Sequence, residues 1–139
     1  MNSPRENALV ARFGTYGSAV EIGIGRRPAV ALALAERGVE VTATDVADPD
    51  ELGVPAAVAF VRDDVVAAGR RDHPGDAYEA DLLYGLNLPP ELHRPALAVA
   101  RAVDADFLFT TLGYDPPAVA AETESLPAGE TLYVARLGE

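Results

Sequence analysis

A doubly wound α/β fold on a mainly parallel sheet is what this sequence predicts, and three observations carry the prediction. Short β-type runs alternate with helical segments along the chain. The first alternation, from Ser18 to Asp45, is a strand–turn–helix–strand unit of about 30 residues, the size of a βαβ motif. Its turn carries Gly23 and Gly25, and its second strand ends on an acid, Asp45. The 139 residues, 49 % of them hydrophobic, suit a single domain over 1–139 with a real core.

Each element has a local reason. Ser3 is a helix cap, Pro4 suits a first helical turn, and Leu9, Val10 and Phe13 share a face, so a short helix is expected over 3–13. Gly14 and Gly17 end it. Ser18 to Ile22 (SAVEI) reads as the first strand. Pro28 opens the helical segment PAVALALAERG, and Gly38 closes it as a glycine just past a helix end does. Val39 to Thr44 is the second strand, terminated by Asp45, and Ala57 to Val61 the third. Residues 65–80 read as a short helix and a loop around His73-Pro74-Gly75. Asp81 to Tyr84 is a buried strand, and Pro89 to Val103 is helical, with Pro95 marking its true start or a kink. Phe107 to Leu112 and Leu132 to Leu137 are the last two strands expected.

Composition excludes several functions. Asp and Glu outnumber Lys and Arg 22 to 11, leaving a formal charge of −11, beyond the roughly 2 to 8 that solubility asks of a small domain. Every basic residue is arginine. A lysine-free acidic surface suits a halophilic, cytoplasmic protein, because about 1 M salt shrinks the Debye length to about 3 Å. An acidic protein of a GC-rich genome is the alternative. Duplex nucleic acid is a poor partner for such a surface. No apolar run reaches the roughly 18 residues of a membrane span, and the N-terminus lacks a signal-peptide pattern. There is no cysteine and only two histidines, His73 and His93, so no metal site is expected. The pattern fits a monomer or an oligomer.

Chemistry concentrates where such sheets bind ligands, beyond the carboxyl ends of the strands. Glycine at 23 and 25 permits the turn dihedrals and lets a ligand approach the backbone. Asp45, 22 residues after Gly23, stands where a carboxylate can accept hydrogen bonds from both hydroxyls of a ribose. A dinucleotide fingerprint would place its third glycine at 28, where this chain has Pro28, which offers no N–H to a pyrophosphate. A ligand with a ribose and no phosphate therefore fits better than NAD, although Arg26 and Arg27 keep a phosphate reading open.

These residues carry a resemblance. Val20 to Gly25 (VEIGIG) with Asp45 resembles the nucleoside-binding start of class I S-adenosylmethionine-dependent methyltransferases. With Thr44 to Val46 (TDV), Arg62 to Val65 (RDDV) and Pro89 to His93 (PPELH), the chain is similar to a small uncharacterised archaeal family with a Rossmann-like, methyltransferase-like fold. The resemblance implies S-adenosylmethionine as cofactor and methyl transfer to a small molecule. It implies that Glu21 faces the methionine amino group, that Gly23 and Gly25 pass under the methionine and ribose, and that Asp45 holds the ribose. Asp64 would then lie beside the adenine amino group, with Val65 against the ring. Arg27 replaces a glycine frequent in such enzymes and is expected to crowd the methionine end. The short C-terminal part leaves little room for a substrate-recognition insertion.

Plainer roles stand beside these. Gly23 and Gly25 can serve only a tight turn, Asp45 can cap the next turn, and Glu21 can neutralise Arg26 or Arg27. Asp63 and Asp64 can form an acidic rim, and Asp81 reads as structural. Amino-methyltransferases carry a polar residue before a Pro-Pro pair and an aromatic residue after it. Here Leu88 precedes and Glu91 follows Pro89-Pro90, so methylation of adenine or cytosine is not supported. The pair reads as a loop stiffener. His93 is the candidate general base or else a packing residue, His73 a surface residue, and Tyr84 and Tyr114 candidate pocket walls. A non-catalytic nucleotide-binding or protein-interaction module is the alternative function.

Overall fold

The computed structural model describes residues 2–113 and 115–136. Its strands are β1 (Ser18–Ile22), β2 (Glu40–Asp45), β3 (Ala59–Arg62), β4 (Leu82–Gly85), β5 (Asp106–Phe109), β6 (Ala121–Ser125) and β7 (Thr131–Ala135). They form one sheet in the order β3-β2-β1-β4-β5-β7-β6. The first five run parallel, and β7 pairs antiparallel with both β5 and β6. The strand order reverses between β1 and β4, so the crevice that binds ligands in such sheets opens at their carboxyl ends.

Two helical layers cover the sheet. α1 (Pro4–Phe13) and α2 (Ala29–Glu36) lie on one face, where Phe13 and Leu34 pack with Ala43, Leu82, Tyr84 and Leu108. α4 (Val65–Ala68) and α5 (His93–Val103) cover the other, over Ile22, Leu83, Phe107 and Phe109. A one-turn helix α3 (Pro49–Leu52) follows β2. Strand residues alternate between the layers as the two-residue period requires, which sends Glu21 and Tyr84 to the α1/α2 face. Burying one large side chain such as Phe13 contributes about 1.5–3 kcal/mol, and its ring stacks on Tyr84 with centroids 4.5 Å apart.

The helix start read from Ser3 is present as a capping box: Ser3 Oγ accepts from the Glu6 amide, and Glu6 Oε1 accepts from the Ser3 amide. Other expectations shift. Pro28 caps α2 rather than opening it. The expected continuous helix from Pro89 divides into a 3-10 turn, Pro90–Leu92, and α5, so the break precedes Pro95. β5 stops at Phe109 rather than Leu112: the Thr110 amide makes the last ladder bond to β4, to the Gly85 carbonyl at 3.0 Å, and the chain then leaves the sheet. β6 escapes a hydrophobicity reading because AETES carries no apolar alternation. It pairs with β7 from Ala121↔Ala135 to Ser125↔Thr131. Leu137 lies outside the described residues. Among them, no helix is long and apolar enough to cross a membrane.

The contact between α4 and α5 is close at Gly69, where an added Cβ would meet the Pro95 carbonyl oxygen at 2.9 Å and its Cα at 3.2 Å. Both are backbone atoms and cannot swing aside. Gly69→Ala is expected to lower unfolding free energy by about 1–3 kcal/mol, as overpacking does. Urea denaturation followed by circular dichroism measures it.

Candidate functional site

The turn after β1 is tied to the end of β2 by four hydrogen bonds. Gly23 and Ile24 both donate their amides to the Thr44 carbonyl, at 3.0 and 3.1 Å, and Thr44 Oγ1 donates to the Glu21 carbonyl. The Gly25 amide donates to Asp45 Oδ2 at 2.9 Å. Gly23 and Gly25 have φ of +67° and +59°, values that glycine adopts without the cost other residues meet. A Cβ on Gly23 would meet nothing within 4 Å: this backbone faces open space. Asp45 therefore faces the turn, and its Oδ1 also accepts from the Ala47 amide at 3.1 Å. Each carboxylate oxygen has two lone pairs, so both keep capacity for a ligand hydroxyl.

Two cavities meet at this edge. The smaller, about 320 Å³, is lined by Gly23, Asp45, Val46, Asp64, Val65 and Leu88, among others. The larger, about 890 Å³, has Glu21, Arg27, Thr110, Glu130 and Tyr133 in its wall. Leu86 and Asn87 line both and mark their junction. Of the residues singled out from sequence, Gly23, Asp45 and Asp64 thus share one cavity, and Glu21 stands in the adjoining one. Gly25 lines neither; its amide serves the Asp45 bond. Asp64 caps α4 by accepting from the Val66 amide at 2.9 Å. Asn87 falls within Tyr84–Pro90, a stretch the sequence points to without giving this residue a role; Val46 and Thr110 the sequence reading missed. Val46 is 61 % exposed on the smaller cavity, an apolar surface suited to a flat base. The signal for it was its place directly after the strand-ending acid.

Glu21 is 1 % exposed. Its register partner on β4 is Tyr84, whose hydroxyl donates to Glu21 Oε1 at 2.7 Å. Burial pushes the Glu21 carboxyl up to about 8; the Tyr84 bond opposes this, and the charge of Asp45 adds to it. Glu21 forms no ion pair with Arg26 or Arg27 among the described residues, which removes the neutralising role considered for it. Tyr84 is fully buried beneath Glu21 and lines neither cavity. Beside the smaller cavity, Asp63 accepts from Arg71 at 2.7 Å and from the Tyr78 hydroxyl at 2.7 Å. Burial would raise the Asp63 carboxyl, but those bonds outweigh it and hold it below its ordinary range. Asp63 is thus a fastener for the 71–78 loop.

His93 takes the packing alternative, and Asp81 and His73 keep the structural and surface roles expected of them. His93, the candidate general base, is fully buried with both ring nitrogens engaged. Nε2 lies 2.8 Å from the Leu88 carbonyl and Nδ1 accepts the Ala118 amide at 3.0 Å, an arrangement that requires the neutral tautomer with its proton on Nε2. It is a strut between two loops. Leu88 is buried against Gly85, where a Cβ would meet its side chain at 2.9 Å, and lines only the smaller cavity, whereas Asn87 is exposed and lines both. Asp81 lies at the opposite end of the sheet, donating its amide to Ser18 Oγ. His73 is exposed, and Tyr114 lies outside the described residues.

A family model for the uncharacterised protein family UPF0146 matches residues 5–137, and the chain belongs to that family. A UPF0146 protein of Halobacterium salinarum is 45 % identical over 129 residues, 92 % of this chain and 94 % of that protein. One from Archaeoglobus fulgidus is 44 % identical over 96 residues, 69 % and 68 % of the two chains. Among solved structures, the methyltransferase domain of a bacterial Hen1 superposes with a TM-score of 0.62 at 10 % identity, over 94 % of this chain and 97 % of that one. Magnesium protoporphyrin IX methyltransferase from Synechocystis, solved with bound S-adenosylmethionine, gives 0.60 at 13 % identity, over 95 % and 78 %. A TehB-like S-adenosylmethionine-dependent methyltransferase from Corynebacterium glutamicum gives 0.59 at 16 %, over 96 % and 86 %. The fold is therefore Rossmann-like, of the methyltransferase type.

The raised Glu21 carboxyl has a sign that can be measured. Between its ordinary 4.5 and about 8, the folded chain holds a proton that the unfolded chain has lost. Stability from this group is full below pH 4.5 and is lost as pH rises through about 8, with a slope of up to about 1.4 kcal/mol per pH unit. Denaturation of wild type and Glu21→Gln from pH 5 to 9 is expected to show this extra decline in wild type only.

Proposed function

We propose that this UPF0146 family member binds S-adenosylmethionine across the two adjoining cavities and transfers its methyl group to a small molecule. The observation that carries the reading is the bare Gly23 backbone and the Asp45 carboxylate on one cavity, with Val46, Asp64 and Val65 beside them. The residues suit the cofactor part by part. Asp45 holds the ribose hydroxyls, Val46 and Val65 flank the base, and Asp64 lies at its amino edge. The amino-acid tail enters the larger cavity, where Glu21 meets the ammonium. Arg27, on the same wall, supplies a cation for the carboxylate rather than an obstruction. Bound there, the cofactor supplies an electrophilic methyl on a sulfonium sulfur.

The engagement of His93 favours a second reading: an adenosyl-compound-binding module without turnover. Positioning and desolvation alone can support methyl transfer, so the first reading stands ahead. The charge of −11 and the Halobacterium relative support a protein adapted to high salt, and binding belongs in molar KCl.

Calorimetry and thermal shift with S-adenosylmethionine, S-adenosylhomocysteine, NAD and ATP test the cofactor. The two adenosyl sulfur compounds are expected to bind. Asp45→Ala is expected to weaken them at least about tenfold, the loss of charge-assisted hydrogen bonds. Asp45→Asn keeps an acceptor for the Gly25 amide and separates that loss from a loosened turn. Binding confined to NAD or ATP would overturn the reading.

A second outcome involves protons. An ammonium placed against Glu21 favours its ionised form, so binding near pH 7 is expected to release up to about one proton. The measured enthalpy should then differ between phosphate and Tris buffers. 5′-Methylthioadenosine, which has no amino-acid tail, should show no such difference, and Glu21→Gln should abolish it.

A further inference from the structure

The two edges of the sheet are built differently. β6, at one edge, carries Glu122 and Glu124. Pairing it with a second β6 about a two-fold axis at residue 122, 123 or 124 sets glutamate against glutamate, a destabilising cross-strand pair. β3, at the other edge, reads Ala-Phe-Val-Arg, and none of its four residues is buried. Its first three residues end the longest uncharged run in the chain, Leu52 to Val61. Only Val58 of that run is buried, and Val61 is 38 % exposed. The helices that flank β3 in sequence, α3 and α4, are single turns. A bare apolar edge of this kind is a template for another strand.

The ladder fixes which backbone groups this edge offers. The Asp63 amide donates to the Asp45 carbonyl at 3.0 Å, and Asp45 is the register partner of Arg62. Successive residues turn their N–H and C=O groups to opposite sides, so Ala59 and Val61 face β2, and Phe60 and Arg62 face out. We propose that β3 pairs antiparallel with β3 of a second copy about a two-fold axis at Val61, joining the two sheets into one. Phe60 of each copy then lies opposite Arg62 of the other, and each such pair exchanges two hydrogen bonds. The Val61 side chains meet at the axis. Neighbouring registers fail. An axis at Phe60 needs the Val58 amide, which already donates to the Pro55 carbonyl at 3.0 Å. An axis at Arg62 sets one guanidinium against another. The axis at Val61 opposes Ala59 to Asp63 and no acid to another acid, which two copies of charge −11 require. Such a contact uses the same patch on both copies and closes at a dimer.

The chain has no cysteine, so one introduced on β3 reads the register directly. At the axis the two Cα atoms stand about 4.5 Å apart, within disulfide reach. The two Ala59 positions are about 13 Å apart along the strands. Under mild oxidation in molar KCl, Val61→Cys is expected to form a covalent dimer, and Ala59→Cys, also exposed, to run as a single chain on a non-reducing gel. Sedimentation equilibrium of the unaltered protein is expected to give twice the chain mass. Arg62→Pro removes an N–H that faces out of the sheet, a place where an edge strand tolerates proline. It is expected to weaken association at least about tenfold. Arg62→Ala loses the same side chain and is expected to stay within about threefold; circular dichroism reports whether both variants fold. A monomeric wild type, assembly beyond a dimer, or equal cross-linking at 59 and 61 overturns the proposal. So does association that survives in a folded Arg62→Pro.

Discussion

The site depends on one hydrogen bond, from the Gly25 amide to Asp45 Oδ2 at 2.9 Å. It joins the turn after β1 to the last residue of β2, across the gap where the two parallel strands part. The paired amides of Gly23 and Ile24 on the Thr44 carbonyl hold the same turn from one residue earlier. A carboxylate that accepts from backbone N–H groups is fixed in position and orientation, and charge-assisted bonds of this kind are about twice as strong as neutral ones. Asp45 thus builds the wall on which it can also act.

Across the sheet from that clamp, the register Glu21↔Tyr84 answers a different problem. A carboxyl set one residue from the end of a central strand, on a helix-covered face, must be neutral or paired. Tyr84 gives it one hydrogen bond, and Phe13 stacks on the Tyr84 ring and excludes water from beneath. The fold therefore sets at the wall of the larger cavity a carboxyl that burial pushes up to about 8. A cation arriving there would meet a group able to become its counter-ion.

The parts of this architecture that were legible in the sequence are the ones set by local chemistry. The Ser3 cap, the SAVEI strand, the glycine turn and the acid ending β2 follow from residue type and spacing, and the structure places them where those rules require. What remained hidden depends on tertiary context. The sequence order Asn87-Leu88-Pro89-Pro90 says nothing about which of the first two residues is buried; the close approach of Leu88 to Gly85 decides it. His93 reads equally as a base or a packing residue until the Leu88 carbonyl and Ala118 amide are found on its two nitrogens. Val46 gave no signal beyond its position, because an exposed valine after a strand has no pattern of its own.

The same histidine explains how so short a chain encloses a large cavity. β5 and β6 run in the same direction with β7 between them, yet no helix is assigned in the described part of 110–120. A connection without a helix has few backbone hydrogen bonds of its own and must borrow them. Thr110 exchanges bonds with Gly85, Asn87 and Leu88, and Ala118 reaches His93. Held at both ends, the loop presents Thr110 to Gly113 to the larger cavity, which Ser3, Arg5 and Glu6 at the start of the first helix and Glu130, Thr131 and Tyr133 of the last hairpin also line. The 3.6 Å ion pair between Arg5 and Glu130 spans those last two walls. The enclosure that other chains could build by insertion is built here from the chain's own first helix and last hairpin.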